Sequence, residues 1–254
     1  MSLLCLDKAT IKFGGLTAVN SVCFDIEPGD LFGLIGPNGA GKTTCFNIIT
    51  GVYKPTSGKI IFDGKDISGT PSNKIANLGI ARTFQNIRLF KSLSVLENVV
   101  VGGLLRRKTP LISALAYLPS AIAETERLKE EALNLLDVVD LRHVADVRSA
   151  DLSYGMQRRL EIARAMATQP KLLLLDEPAA GMNPQEKEEL NAMVRKIRET
   201  HGMTILLIEH DMRFVMSLCE KIVVLDHGEE IAQGPPEAIR RDPKVIAAYL
   251  GEAV

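Results

Sequence analysis

The stretch Gly36-Pro37-Asn38-Gly39-Ala40-Gly41-Lys42-Thr43-Thr44 specifies a chemistry by residue type and spacing alone. It fits the pattern G-x-x-x-x-G-K-[ST], in which successive backbone N–H groups and a helix N-terminus converge on an anion. Lys42 brings a full positive charge to the outer phosphates of a nucleoside triphosphate, and the Thr43 hydroxyl is a ligand for Mg2+. Two carboxylates, Asp176 and Glu177, end the run Lys171-Leu172-Leu173-Leu174-Leu175. Beside a triphosphate, the first can hold Mg2+ through its water shell. The second can orient or deprotonate an attacking water. His210 follows another apolar run, Met203 to Ile208, and so occupies a similar strand end. Ser153 and Gly155 open a helical stretch and offer a second anion site, although an ordinary capped helix explains them equally well. Gln85 alone reads as a solvated side chain. Phe13 suits either a base-stacking ring or an apolar strand residue.

These residues need elements to hold them. Leu31 to Ile35 is short and apolar, as a buried strand before the glycine loop should be, and Thr44 to Ile49 continues as a helix up to Gly51. Residues 3–30 read as antiparallel strands, with Val22, Phe24 and Ile26 alternating against polar neighbours and Glu27-Pro28-Gly29-Asp30 turning the chain. Gly58 to Phe62 adds a further strand, and Ile80 to Gln85 reads as a strand opening into a loop. From Ser94 to about Arg148 helix signals dominate. Leu128, Ala132, Leu135, Leu136 and Val139 form one helical stripe, and Leu111 to Leu118 is a shorter apolar stretch suited to buried packing or to a partner or membrane-surface contact. Ser153 caps a helix that runs toward Pro170. Four leucines without alternation, Leu172 to Leu175, require a strand covered on both faces. Asn183, Pro184 and Glu186 make a helix start, with Leu190, Met193, Val194 and Ile197 as its buried face. Ile222 to Leu225, the turn Asp226-His227-Gly228 and Ile231-Ala232 form a closing hairpin, followed by short helices ending at Tyr249-Leu250-Gly251-Glu252.

The 254 residues are 46% hydrophobic and 24% charged, which is ordinary for a globular protein. A formal net charge of −1 gives no electrostatic reason to expect nucleic acid or anionic lipid as the main partner. Cys5, Cys23, Cys45 and Cys219 lie far apart without a C-x-x-C pair, which argues for reduced, mostly buried thiols in a cytoplasmic protein. The first residues are too short and too soon charged for a signal peptide. No apolar run approaches the roughly 20 residues that cross a bilayer, so work at a membrane would require other chains to span it.

Taken together, these stretches resemble an ABC-transporter ATPase subunit over nearly the full length. Gly36 to Thr44 corresponds to the phosphate loop, Gln85 to the Q-loop glutamine, and Leu152 to Met156 to the signature motif. Leu172 to Glu177 corresponds to the second nucleotide motif, Ala179 to Asn183 to the D-loop, and His210 to the switch histidine. Phe13 falls where the family places its base-stacking aromatic. The resemblance implies an α/β fold of the P-loop NTPase class, with a mainly parallel RecA-like core sheet, an N-terminal antiparallel β subdomain and a helical subdomain. Residues 1–254 would form a single ATPase domain, with the helical subdomain at about 94–165 inserted in it. Arg82-Thr83-Phe84-Gln85-Asn86-Ile87-Arg88-Leu89-Phe90, Arg158 to Arg164 and Ala179 to Pro184 are similar to the branched-chain amino acid importer ATPases of the LivG type. Relatives that import urea, amides or aromatic acids carry similar sequences.

The resemblance further implies that ATP and Mg2+ are bound. ATP would lie on Lys42, Thr43 and Thr44, with Ser153 and Gly155 of a facing subunit closing over the γ-phosphate. Glu177 would polarise water, His210 would contact the γ-phosphate, and Thr43, Asp176 and Gln85 would place Mg2+. Such subunits pair head to tail with themselves or a sister ATPase, below two permeases served by a periplasmic binding protein, at the cytoplasmic face of the membrane. Two positions depart from the pattern. L-S-G-G-Q reads Leu-Ser-Tyr-Gly-Met, so Met156 lacks the hydrogen bonds of a glutamine, and Asn183 stands where many relatives have aspartate. Both bear on coupling between subunits rather than on nucleotide binding. The rivals lack their own marks: a soluble repair or translation ATPase its coiled coil, second cassette or basic surface, and a GTPase its N-K-x-D stretch. A non-hydrolysing module is at odds with Glu177 and His210.

Overall fold

The computed structural model describes residues 2–110 and 118–250. Leu172 to Leu175 leave no side of their strand suited to water, and β7 (Leu172–Asp176) is buried along its whole length. Its side chains alternate between two apolar cores. Leu173 and Leu175 enter one, and Leu172 and Leu174 the other. In β3 (Leu31–Ile35), Leu31 and Ile35 face the first core, while Phe32 and Leu34 face the second. In β8 (Thr204–Ile208) the same division separates Ile205 and Leu207 from Leu206 and Ile208. These strands run parallel, an arrangement that needs both faces covered as they are here.

Adding β6 (Ile80–Arg82), β9 (Lys221–Asp226) and β10 (Glu229–Gly234) gives a six-stranded sheet in the order β10-β9-β3-β8-β7-β6. β10 alone in this sheet pairs antiparallel, through the expected hairpin. A second sheet joins β1 (Leu4–Phe13), β2 (Leu16–Ile26), β4 (Ser57–Phe62) and β5 (Lys65–Asp66), all antiparallel. Phe24 of β2 stacks on Phe32 of β3 at 5.4 Å between ring centroids, fastening the small sheet to the large one.

Helix α1 (Lys42–Ile49) follows β3 and α2 (Ser72–Leu78) precedes β6, while helices α3 (Val95–Gly103), α4 (Pro119–Val138) and α5 (Tyr154–Met166) form the helical part. Val95, Val99, Ala132, Leu136, Leu160 and Ala163 join them to the first core of the sheet. The stripe on α4 is present with one change: Leu135 is only partly buried, while Leu128, Ala132, Leu136 and Val139 are fully so. Helix α6 (Pro184–His201) buries Leu190, Met193, Val194 and Ile197, and α7 (Met212–Leu218) follows β8. The short helices α8 (Pro236–Ile239) and α9 (Pro243–Leu250) come last. Residues 111–117 of the apolar stretch, and the terminal Gly251-Glu252, lie outside the described residues.

Three expectations need correction. β6 ends at Arg82 rather than Gln85, because the carbonyl groups of Phe84 and Gln85 are taken by the Arg158 guanidinium instead of a strand. The helix after Ser153 ends at Met166, short of Pro170, where Gln169 turns the chain with a φ of 52°. The cysteines are not mostly buried: Cys45 and Cys219 are, Cys5 is half-buried and Cys23 is exposed.

Candidate functional site

β3, β8 and β7 are neighbours in the parallel sheet, so the turns that follow them lie side by side at its carboxyl edge. That edge is where open α/β sheets gather ligands. β3 delivers the glycine loop, β7 delivers Asp176 and Glu177, and β8 delivers Glu209 and His210.

The loop depends on glycine at two points. Gly36 has a φ of 150°, and a Cβ there would collide with the carbonyl oxygen of Leu225. Gly41 has a φ of 98°, and its Cβ would lie 2.6 Å from the Ala18 carbonyl oxygen. Helix α1 (Lys42–Ile49) starts directly after Gly41, so the first-turn N–H groups, which have no partner within the helix, point out of the loop. The Lys42 ammonium donates to the carbonyl oxygens of Gly36 at 2.6 Å and Pro37 at 2.7 Å. A cleft of about 560 Å³ opens here, lined by Asn38 to Thr44, Phe13, Thr17, Ala18, Glu177 and His227. Phe13 is half exposed at its edge and meets Tyr53 edge-on at 5.2 Å. Phe13 thus lines the same cleft as Lys42.

Asp176 is nearly buried, and its Oδ2 accepts from Nη2 of Arg82 at 2.6 Å. Arg82 also donates to Oδ1 of Asn47 on α1 at 2.8 Å, with its guanidinium near the rings of Phe46 and Phe84. Asp176 is therefore locked to the helix that begins with Lys42. Glu177 adopts a φ of 46°, left-handed for a residue with a side chain, and its N–H donates to the Ile208 carbonyl at 2.9 Å. Such strain costs on the order of 1–3 kcal/mol and concentrates at functional positions. Its Oε2 accepts from the Gln85 amide at 2.9 Å, and His210 Nδ1 lies 3.7 Å away. A carboxylate so placed beside the phosphate loop can align a water for attack. Glu209 is buried, accepting the Ala179 N–H at 2.7 Å and the His210 N–H at 3.2 Å. Burial pushes its carboxyl above the usual carboxylate range.

Ser153 and Gly155 are held elsewhere. Ser153 is exposed at the N-cap of α5, accepting the Met156 N–H at 3.4 Å. With Gly155, Met182 and Glu186 it lines a separate small pocket of about 60 Å³. The N-terminal ends of α1 and α5 in one chain thus line different pockets. Both departures from the family pattern have local uses: Met156 packs against the core, and Asn183 forms a capping box with Glu186.

The residues present suit Mg2+. Among the described residues no group of three or more His, Cys, Asp or Glu could hold a metal. A hydroxyl from Thr43 and one fixed carboxylate, completed by phosphate and water, is a donor set this cation favours. Arg82, Glu209, Thr17 and His227 at the site were not found in the sequence. Arg82 and Glu209 carried only the weak signal of a charge at the end of an apolar run, and the other two carried none.

A glycine loop, a lysine and a carboxylate pair at the carboxyl edge of a parallel sheet define a P-loop nucleoside triphosphatase. The family model described as ABC transporter matches residues 19–180, and the one described as branched-chain amino acid ATP-binding cassette transporter matches residues 229–254. The chain belongs to the ABC transporter family and is an ATPase. It is 49% identical over 244 residues to the high-affinity branched-chain amino acid transport ATP-binding protein BraF of Pseudomonas aeruginosa, covering 96% of each chain. It is 47% identical over 251 residues to the LivG protein of the same description from Escherichia coli, covering 99% of this chain and 98% of the relative. Among solved structures, an ATP-binding cassette of an ABC transporter in its ADP conformation superposes with a TM-score of 0.86 at 34% identity, over 99% of both chains.

Proposed function

We propose that this chain powers the import of branched-chain amino acids as one half of a head-to-tail ATPase pair beneath two membrane permeases. The observation that carries the reading is the separation of Ser153 and Gly155 from the cleft at Lys42. Each chain has two phosphate-reading ends that face different pockets, and a facing copy or sister ATPase would bring them onto one nucleotide. The relatives' names supply the solute class.

ATP lies with its phosphates on the loop N–H groups, Lys42, Thr43 and Thr44, and its base on Phe13. Thr43, with Asp176 and Gln85 acting through water, would hold Mg2+, which would offset the phosphate charge. Arg82 keeps Asp176 fixed relative to α1. Glu177 takes the proton of a water aligned in line with the γ-phosphorus, and His210 contacts the γ-phosphate oxygens. ADP and phosphate result. While the γ-phosphate is intact it bridges Lys42 of one subunit and Ser153 of the other, favouring the closed pair, and its loss favours the open one.

Among the described residues no helix is long and apolar enough to cross a membrane. Attachment at the cytoplasmic face would come from permeases, for which a groove of about 660 Å³ beside Phe84, Arg88, Leu89 and Phe90 is suited. Phe90 stands half exposed there. A periplasmic binding protein would act only through those permeases, and no nucleic acid is involved. The test is ATPase activity of the reconstituted complex. Stimulation by leucine, isoleucine or valine supports the reading, and stimulation only by urea, amides or aromatic acids moves the assignment to that solute.

A further inference from the structure

Arg158 sits on the inward side of α5 and is fully buried. A guanidinium removed from water needs acceptors, and its choice of them is specific. Nη1 donates to the Phe84 carbonyl at 2.6 Å and to Oε2 of Glu161 at 2.8 Å. Nη2 donates to the Gln85 carbonyl at 2.7 Å and to the Tyr154 hydroxyl at 3.3 Å. The other Glu161 oxygen accepts the Arg88 N–H at 3.2 Å. One turn of α5 therefore grips three backbone groups of the segment that leaves the sheet after β6.

That segment bears the Gln85 amide on Glu177. Ser153 caps the same helix that carries Arg158. A continuous path runs from the exposed serine, along rigid helix, through a buried fork, to the carboxylate beside the phosphate loop. Packing alone would not require this, since a buried ion pair can be replaced by apolar residues of similar volume without loss of stability.

We propose that Arg158, supported by Glu161, is a positioning residue that seats Gln85 on Glu177 and makes closure at Ser153 felt at the hydrolytic carboxylate. The inference rests on the roles proposed above for Glu177 and Ser153. Arg158→Lys keeps a cation beside Glu161 but loses the planar fork that reaches both carbonyls. In the transporter complex it should lower kcat for ATP by about tenfold or more while KM stays within about threefold. Gln85→Ala should lower kcat as well. Adding Arg158→Lys to it should change kcat by less than about twofold, because both variants remove the same link. The apolar pair Arg158→Met with Glu161→Leu removes the partners of the Phe84 and Gln85 carbonyls and the Arg88 N–H, and should show the same kcat loss in a chain that still folds, at a lowered melting temperature. Wild-type kcat in a folded variant, or losses that multiply with Gln85→Ala, would overturn the proposal. Failure of both variants to fold would assign the pair to stability and overturn it too. Full turnover in Glu177→Gln would instead locate the error in the role given to Glu177.

Discussion

The Gln85 amide donates to Oε2 of Glu177 at 2.9 Å, across 92 positions of sequence. The bond orients the side chain. Glu177→Gln keeps the shape and removes the base. It should retain ATP affinity in an equilibrium titration while phosphate release slows by about 10² or more. Unaltered release would remove Glu177 from its role.

The glycine loop makes a prediction by contrast. Gly36→Ala drives a methyl group into the Leu225 backbone, which cannot yield, so nucleotide binding should be lost with a lowered melting temperature. Gly39 also has a positive φ, 79°, but an added methyl group meets nothing within 4 Å. Gly39→Ala should cost only the conformational strain, about 1–2 kcal/mol, and leave the fold intact. Melting curves with nucleotide titrations separate the two.

Glu209 gives a pH signature. Its carboxyl is raised by burial, so its contribution to stability is complete below the ordinary carboxyl pKa and is lost as pH rises through the raised value. Glu209→Gln keeps an acceptor for the Ala179 N–H and cannot ionise. Its melting temperature relative to the parent should climb as pH rises above the ordinary carboxyl pKa. A pH-independent difference would count against the buried charge.

The thiols divide by accessibility. Burial pushes Cys45 and Cys219 up to about 12, and the thiolate is the reactive form. Cys23 is exposed. In the folded chain a thiol reagent should label Cys23 first and reach Cys45 and Cys219 only after denaturation, as peptide mapping by mass spectrometry would show.

Elements written in local pattern were legible in advance. The Leu172 to Leu175 run could only be a covered strand, and Asn183 with Glu186 announced a capping box that forms with bonds of 2.9 and 3.0 Å. Glycine spacing gave the phosphate loop, and strand ends gave Asp176, Glu177 and His210. Contacts across long stretches of chain were not legible. Arg82 finds Asp176 94 positions away, and Arg158 finds Phe84 74 positions away. An arginine reads the same in sequence whether it is solvated or buried on a partner, since only the folded chain supplies the acceptors. For the same reason the end of β6 was misplaced: what stops it is a side chain from another element.

In the proposed pair, one nucleotide is held between Lys42 of one subunit and Ser153 of the other. Sedimentation of the Glu177→Gln chain, alone and mixed with its sister ATPase, tests it directly. With Mg-ATP the chain should sediment as a dimer, with ADP as a monomer, and Ser153→Arg should abolish the ATP-induced dimer while ATP still binds. A chain that binds ATP yet stays monomeric in every mixture, or a dimer indifferent to Ser153→Arg, would contradict the account.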